Sequence, residues 1–312
     1  MYDLAGKRVW VAGHGGMVGA AIVRRLAQED CEILVADRRE LDLTDQRAVL
    51  GWMHNNRPQA VFLAAARVGG IQAKDALPVD FLRDNLLIET AVFTGAESVG
   101  VEKLLFLGSS CSYPRDAAQP IREEDLLTGP LERTSQWHAI AQIAGIKLAQ
   151  AYRQQFGCDF ISAMPTGLYG PGDNYDPHAS HVLPALIRKV HEAKTGGDPV
   201  TVWGTGTPLR EFLFVDDCAD ACVHLMKTYS DVPPVNVGSG EEVSILALTR
   251  LVMDVVGYHG EIVLDLDRPD GTPRKLLDSS RLNAMGWAPC TALRDGIART
   301  YAAFLRGDGR NI

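Results

Sequence analysis

A chain of 312 residues can build one large domain or two modest ones, and 46% hydrophobic with 22% charged residues excludes intrinsic disorder. The net charge of −8, from 31 Lys and Arg against 39 Asp and Glu, argues against a nucleic-acid partner, which calls for a basic face. Glycine stands at 30 against 16 prolines, above its ordinary share, so its placement carries information.

The first half alternates short apolar runs with amphipathic ones. Strands are predicted at Val9–Ala12, Ile33–Val35, Ala60–Ala64, Leu104–Leu107 and Phe160–Met164. Helices are predicted at Met17–Glu29, Gln46–Asn55, Phe81–Val99 and Gln136–Gln155. Continuously apolar strands that alternate with helices imply parallel strands covered on both faces, an α/β doubly wound sheet of the Rossmann type. After Pro165 glycine and proline cluster and the pattern turns irregular, which implies a smaller C-terminal mixed α/β domain over the substrate. The expected division is 1–168, joined by roughly 212–240, as the dinucleotide-binding domain, with 169–211 and 241–312 as the second.

No run approaches the roughly 18 apolar residues of a membrane helix, and the N-terminus lacks the layout of a secretion signal. Six scattered cysteines, Cys31, Cys111, Cys158, Cys218, Cys222 and Cys290, fit a reducing cytoplasm. Cys218 and Cys222 share a predicted helix face and are expected in the core; no metal site is expected, because two further ligands are missing.

Gly13-His14-Gly15-Gly16-Met17-Val18-Gly19 joins the first strand to the first helix. Gly13, Gly16 and Gly19 suit a tight turn, a close approach of backbone to pyrophosphate, and helix-on-sheet packing. The helix N-terminus, with Met17 and Val18, offers N–H groups to the anion. After the second strand, Asp37 suits the ribose 2′-hydroxyl of NAD and Arg38 the 2′-phosphate of NADP, so that choice stays open. Asp42 and Leu43 are placed at the adenine, and Asp45 caps the helix that starts at Gln46.

Four further segments carry a family likeness: Leu63 to Ile71, Leu107 to Pro114, Trp203 to Phe212, and Pro269 to Asp278. With them the chain resembles the GDP-L-fucose synthases, a family of extended short-chain dehydrogenase/reductases, over nearly its whole length. The resemblance implies conversion of GDP-4-keto-6-deoxy-D-mannose to GDP-L-fucose, by epimerisation at C3 and C5 and reduction of the C4 ketone with NADPH. It also implies a homodimer built on the two long helices. Ser109 matches the serine that bonds the C4 oxygen. Cys111 and His181 match the acid–base pair that moves protons beside the ketone. Ala64 and Ala65 fall to the cofactor, and Arg188, Trp203, Arg210 and Lys275 to the sugar nucleotide.

The chain departs from the family where the Tyr-x-x-x-Lys pair belongs: His138 replaces tyrosine and Gln142 replaces lysine, still on one helix face. Lys147 lies nine residues beyond His138, on another face. Gly15, Ser112 and Gly167 also stand where the family carries arginine, isoleucine and asparagine. Either His138 is a replacement acid, since imidazole titrates near neutrality without a lysine, or reduction is lost, leaving an epimerase, a diverged sugar-nucleotide enzyme or a silent binding protein.

Overall fold

The computed structural model describes residues 1–268 and 270–309; Pro269, which opens the last family-like segment, lies outside them. In chain order the elements are β1 (Arg8–Ala12), α1 (Met17–Leu26), β2 (Glu32–Leu34), α2 (Gln46–Asn56), β3 (Ala60–Leu63), α3 (Ile71–Ala76), α4 (Pro78–Ser98), β4 (Lys103–Leu107), α5 (Gln136–Phe156) and β5 (Asp159–Pro165). There follow β6 (Gly167–Tyr169), α6 (Val182–Gly196), β7 (Val200–Trp203), β8 (Leu209–Phe214), α7 (Val215–Thr228), β9 (Val235–Val237), β10 (Glu242–Ser244), α8 (Ile245–Val256), β11 (Ile262–Asp265), β12 (Arg274–Lys275), α9 (Ser280–Ala284) and α10 (Leu293–Leu305).

Six strands form an all-parallel sheet in the order β2-β1-β3-β4-β5-β9. β1, β3 and β4 are buried almost throughout, as continuously apolar strands require. α1 packs on α7 over one face, and α2, α4 and α5 cover the other. Chain direction across the sheet reverses between β1 and β3, so a crevice opens beyond the C-terminal ends of those strands. Cys218 and Cys222 lie in the core beneath α1, as the helix-face spacing implied.

Two helix ends differ from the sequence reading by three residues, for local reasons. α4 starts at Pro78, not Phe81, because a proline at the first helical position has no N–H to satisfy. α1 stops at Leu26, and the chain turns through residues 27–31 before β2. Asp45 caps α2 through the Arg47 and Ala48 N–H groups at 2.9 and 3.1 Å. Beyond β5, β8 pairs with β6, β10 and β12, while β7 pairs with β11; α6, α8 and α10 enclose a third core.

A buried polar hub joins these parts. Asn236 on β9 accepts from Tyr113 Oη (2.6 Å) and donates through Nδ2 to the Ile121 (3.0 Å) and Asp278 (3.1 Å) carbonyls; its N–H donates to Glu123 (3.0 Å). The loop after β4 is thereby tied to the segment after β12.

Between α4 and α5, Gly145 lets Glu89 and Phe106 approach the helix backbone; a Cβ there would lie 3.0 Å from the Glu89 carboxyl carbon. Glu89 is buried, neither carboxyl oxygen has a partner among the described residues, and desolvation pushes its pKa up to about 9. Folding therefore takes up a proton above the ordinary carboxylate value near 4.5, and stability falls as pH rises toward 9. The slope reaches about 1.4 kcal/mol per pH unit for one proton. Glu89→Gln is expected to flatten it; urea unfolding of both proteins at about pH 6 and about pH 8 checks this, and equal slopes would contradict it.

Candidate active site

At the end of β1, Gly13 has φ +91°, and a Cβ there would lie 2.6 Å from the Ala65 backbone. A Cβ on Gly19 would collide with the Gly13 carbonyl. These contacts close the turn so that Gly16, the N-cap of α1, and Met17 and Val18 at its start present backbone N–H groups to the crevice. Ala64 continues from β3 beside them, its N–H donating to the Ala12 carbonyl at 2.9 Å. His14 Nδ1 is buried there with no partner among the described residues. A glycine cradle with a helix N-terminus and an orphaned nitrogen fits a bound pyrophosphate. Gly15 stands in open space.

Beyond β2, Asp37 accepts the Arg39 and Glu40 N–H groups at 2.7 and 3.0 Å, which holds its carboxyl below the usual range. Arg38 follows it at the surface. Asp42 accepts from the Thr44 N–H and hydroxyl, and Leu43 packs on the core.

β4 delivers the reactive residues. Ser109 caps the short 3-10 turn 110–112; its Oγ accepts the Cys111 N–H and lies 3.0 Å from Cys111 Sγ. His138, two residues past the start of α5, is buried and acts on the Cys111 thiol. His181 stands at the N-cap position of α6, exposed and without a side-chain capping bond. The parallel register of β8 with β12 sets Arg210 and Lys275 side by side. Glu211 fixes that pairing from below: its buried carboxyl accepts the Gly240 (2.8 Å) and Leu277 (3.1 Å) N–H groups, and burial pushes its pKa up.

The charges around Cys111 are mostly positive. Burial works against its thiolate, but His138, Lys74 and Lys275 outweigh burial and hold the thiol well below its ordinary value. Desolvation within the cleft, then Lys74, His138 and Lys275, push His181 below its ordinary value, so it is neutral in the unliganded cleft near pH 7. Lys275 falls to about 8, chiefly by desolvation. A cleft with this balance favours an anionic ligand, and a diphosphate there would raise His181 again.

Asn85 on α4 orients His138. Its Oδ1 accepts the Arg67 N–H (2.7 Å), and Nδ2 donates to the Arg67 and Phe81 carbonyls (3.2 and 2.7 Å). Nδ2 also faces His138 Nδ1 at 3.3 Å, sharing with the ring nitrogen the N–H that it gives the Arg67 carbonyl. The neutral imidazole accepts at Nδ1 and carries its proton on Nε2, an assignment that follows from the network. Phe81 meets the ring edge-on. Gln142, one turn on, is buried with Nε2 unpartnered among the described residues.

The structure thus brings Ser109, Cys111, His138, His181, Arg210 and Lys275 to one cleft beside the cradle. Arg188 is held elsewhere, bonded to Glu192 (2.7 Å) and the Tyr175 carbonyl (2.9 Å). The next residue, Lys189, lies 5.1 Å over the exposed Trp203 ring, with Arg268 at the same distance. The loop after Trp203 is tied by Thr205 to Asp270 at 3.0 and 2.8 Å, and Asp270 acts on Arg210 by charge. Sequence reasoning missed Asn85, Lys189, Arg268 and Lys74. Only Asn85 left a signal, as the first of two polar residues on the Phe81–Asn85–Glu89 face of an apolar helix. Ser112 is fully buried with a hydroxyl unpartnered among the described residues, and a Cβ on Gly167 would meet the Glu211 carbonyl at 3.0 Å. Lys147 bonds Gln150 on the surface. Among the described residues no three His, Cys, Asp or Glu side chains gather as a metal site, and no helix is long and apolar enough to cross a membrane.

Residues 9–238 match the model of the NAD dependent epimerase/dehydratase family. A GDP-L-fucose synthase from Sinorhizobium fredii is 59% identical over 306 residues, 98% of each chain. The chain belongs to this family, in its GDP-L-fucose synthase branch. Among solved structures it is similar to a GDP-6-OMe-4-keto-L-xylo-heptose reductase from C. jejuni, with TM-score 0.92, 32% identity, and 97% and 98% of the two chains covered. It is also similar to a GDP-L-fucose synthetase from Naegleria fowleri bound to NADP, with TM-score 0.91, 27% identity, and 98% and 96% covered.

The cradle of this epimerase-family chain is sterically closed to side chains at two glycines. Gly13→Ala and Gly19→Ala are each expected to weaken NADP(H) binding at least tenfold, by about 1.4 kcal/mol or more, while Gly15→Ala leaves it unchanged. Fluorescence titration with NADPH checks this, and equal affinity in all three would contradict the cradle.

Proposed function

We propose that the chain is a 3,5-epimerase/4-reductase that converts GDP-4-keto-6-deoxy-D-mannose to GDP-L-fucose with NADP(H), with His138 acting where the family uses tyrosine. The observation that carries this reading is the orientation of His138 by Asn85, which turns a proton-bearing Nε2 away from α4 in a cleft shared with Cys111 and Ser109. The names of the Sinorhizobium and Naegleria relatives support the substrate and cofactor.

When bound, NADPH supplies the hydride for the C4 ketone. The cradle of Gly13, Gly16, Met17, Val18 and Gly19 would hold its pyrophosphate, with Ala64 and Ala65 beside it. Asp37, Arg38, Asp42 and Leu43 would take the adenosine half; Arg38 suits a 2′-phosphate, and Asp37 is already bonded to its own turn. Arg210 and Lys275 meet the sugar-nucleotide diphosphate, Lys189 joins them in place of Arg188, and Trp203 stacks on the ligand.

Protons on carbons beside a ketone are acidic because the carbanion spreads onto the carbonyl oxygen. Cys111 takes such a proton as thiolate. His181, recharged once the diphosphate offsets Lys275, returns one to the opposite face. Ser109 Oγ and the Nε2–H of neutral His138 hydrogen-bond the C4 oxygen and polarise the ketone, and the alkoxide that hydride transfer leaves takes its proton from solvent water.

The division 1–168 with 212–240 against 169–211 with 241–312 places the cradle in one lobe and the sugar-nucleotide residues largely in the other. Val79 and Leu87 on α4 and Trp137 and Ile140 on α5 are exposed, which supports a homodimer along these helices. All six cysteines are free thiols, in keeping with a reducing, cytoplasmic setting.

One observation favours a second reading, an epimerase without reductase activity: the amide of Gln142 brings no positive charge to the nicotinamide side of α5. The two readings separate in NADPH consumption. The proposal expects NADPH to be oxidised in step with GDP-L-fucose formation, and His138→Phe to lower kcat about 10²-fold or more without weakening NADPH binding. Full activity in His138→Phe, or no oxidation by the unaltered chain, would overturn the role of His138.

A further inference from the structure

One short loop touches the carriers of both histidines through its backbone. Between β3 and α3 the chain runs Arg67-Val68-Gly69-Gly70. At its start, the Arg67 N–H and carbonyl are both bonded to Asn85, the residue that orients His138, at 2.7 and 3.2 Å. At its end, the Gly70 N–H donates to the Ala179 carbonyl at 2.7 Å, two residues before His181. Between these bonds Gly69 faces the Phe81 ring, which meets His138 edge-on. α3 then packs on the 3-10 turn Arg133–Ser135, from which α5 and His138 start.

The contact at Gly70 is tight. Its backbone angles, φ −67° and ψ 178°, suit any residue, so space and not conformation calls for glycine. A Cβ there would stand 2.4 Å from the Ser180 carbonyl oxygen, against the roughly 3.3 Å at which carbon and oxygen meet. The facing turn is braced on its own side. Asp176 Oδ1 accepts the His178 and Ala179 N–H groups at 2.8 and 2.9 Å, and the Ser180 N–H donates to the Asp176 carbonyl at 3.1 Å. His181 follows, and α6 sets Leu183, Leu186, Ile187 and Val190 into the third core. Loop and turn are both backed by packed structure, and the bare Gly70 backbone is the spacer between them.

We propose that Gly70 is a positioning residue for epimerisation, its missing side chain setting the distance between His181 and the end of the cleft that holds Ser109 and His138. The role rests on the reading of His181 as the group that returns a proton beside the ketone. A sugar held at its C4 oxygen by Ser109 and His138 presents the neighbouring carbons at a fixed distance, and the acid on the opposite face must stand within reach of one of them. A methyl group on Gly70 parts loop and turn by about 1 Å whichever side yields, the scale of misplacement on which such transfers fail.

The test compares the unaltered full chain with Gly70→Ala and with Asp176→Ala, which loosens the same turn without adding an atom to the contact. Three quantities are read: deuterium uptake at C3 and C5 of GDP-4-keto-6-deoxy-D-mannose in deuterated water, NADPH affinity, and amide exchange at Gly70. Gly70→Ala is expected to lower uptake and kcat at least tenfold, with KM for the sugar nucleotide and NADPH affinity held within about twofold. Asp176→Ala is expected to raise amide exchange at Gly70 and to lower uptake about threefold or more. Unchanged uptake in a folded Gly70→Ala, or NADPH affinity that falls as far as kcat, would overturn the role of Gly70. If Gly70→Ala does not fold, raised Gly70 exchange with unchanged uptake in Asp176→Ala would overturn it equally. No uptake by the unaltered chain, with Gly70 exchange raised in Asp176→Ala, would instead overturn the epimerase reading and leave the contact between loop and turn standing.

Discussion

Ser109 Oγ accepts the Cys111 N–H, and that bond turns the end of β4 into a single 3-10 turn. Because β4 sits between β3 and β5 in a parallel sheet, its C-terminal end lies in the row of strand ends where the cradle also opens. The rest of the site is arranged around that turn. α5 supplies His138, the segment before α6 supplies His181, and β12, paired to β8, supplies Lys275. Tyr113, just past the turn, is bound to Asn236, so the loop carrying the sulfur and the segment after β12 share one buried anchor.

The paired replacement on α5 is physically consistent. A phenol needs a neighbouring cation to titrate near neutrality; an imidazole does not, and a cation beside it would disfavour its charged form. A neutral residue at Gln142 therefore suits histidine at position 138. Among the described residues the Gln142 amide nitrogen and both Glu89 oxygens are buried without partners. The rest of the buried face of α5 is apolar: Ala139, Ala141, Ile143, Gly145, Ile146 and Ala149.

Much of the sheet was legible in the sequence because its strands are buried on both faces and so read as unbroken apolar runs. The cradle was legible because its steric demands leave only glycine at Gly13 and Gly19. The short pieces were not. β12 is two residues long and exists only because β8 lies beside it, and α3 is held by its docking on residues 179–180 rather than by its own periodicity. Lys74 could not be placed for that reason. Nor could sequence choose between Arg188 and Lys189: adjacent residues on one helix point in different directions, and only the docking of α6 decides which meets Trp203.

The most direct measurement is solvent isotope incorporation. The chain is incubated with GDP-4-keto-6-deoxy-D-mannose in deuterated water with NADPH, and the sugar product is read by NMR. The account predicts deuterium at both C3 and C5 of a reduced GDP-L-fucose. A reduced sugar without deuterium, or no deuterium in any product, would contradict the assignment of Cys111 and His181 as the proton-transfer pair.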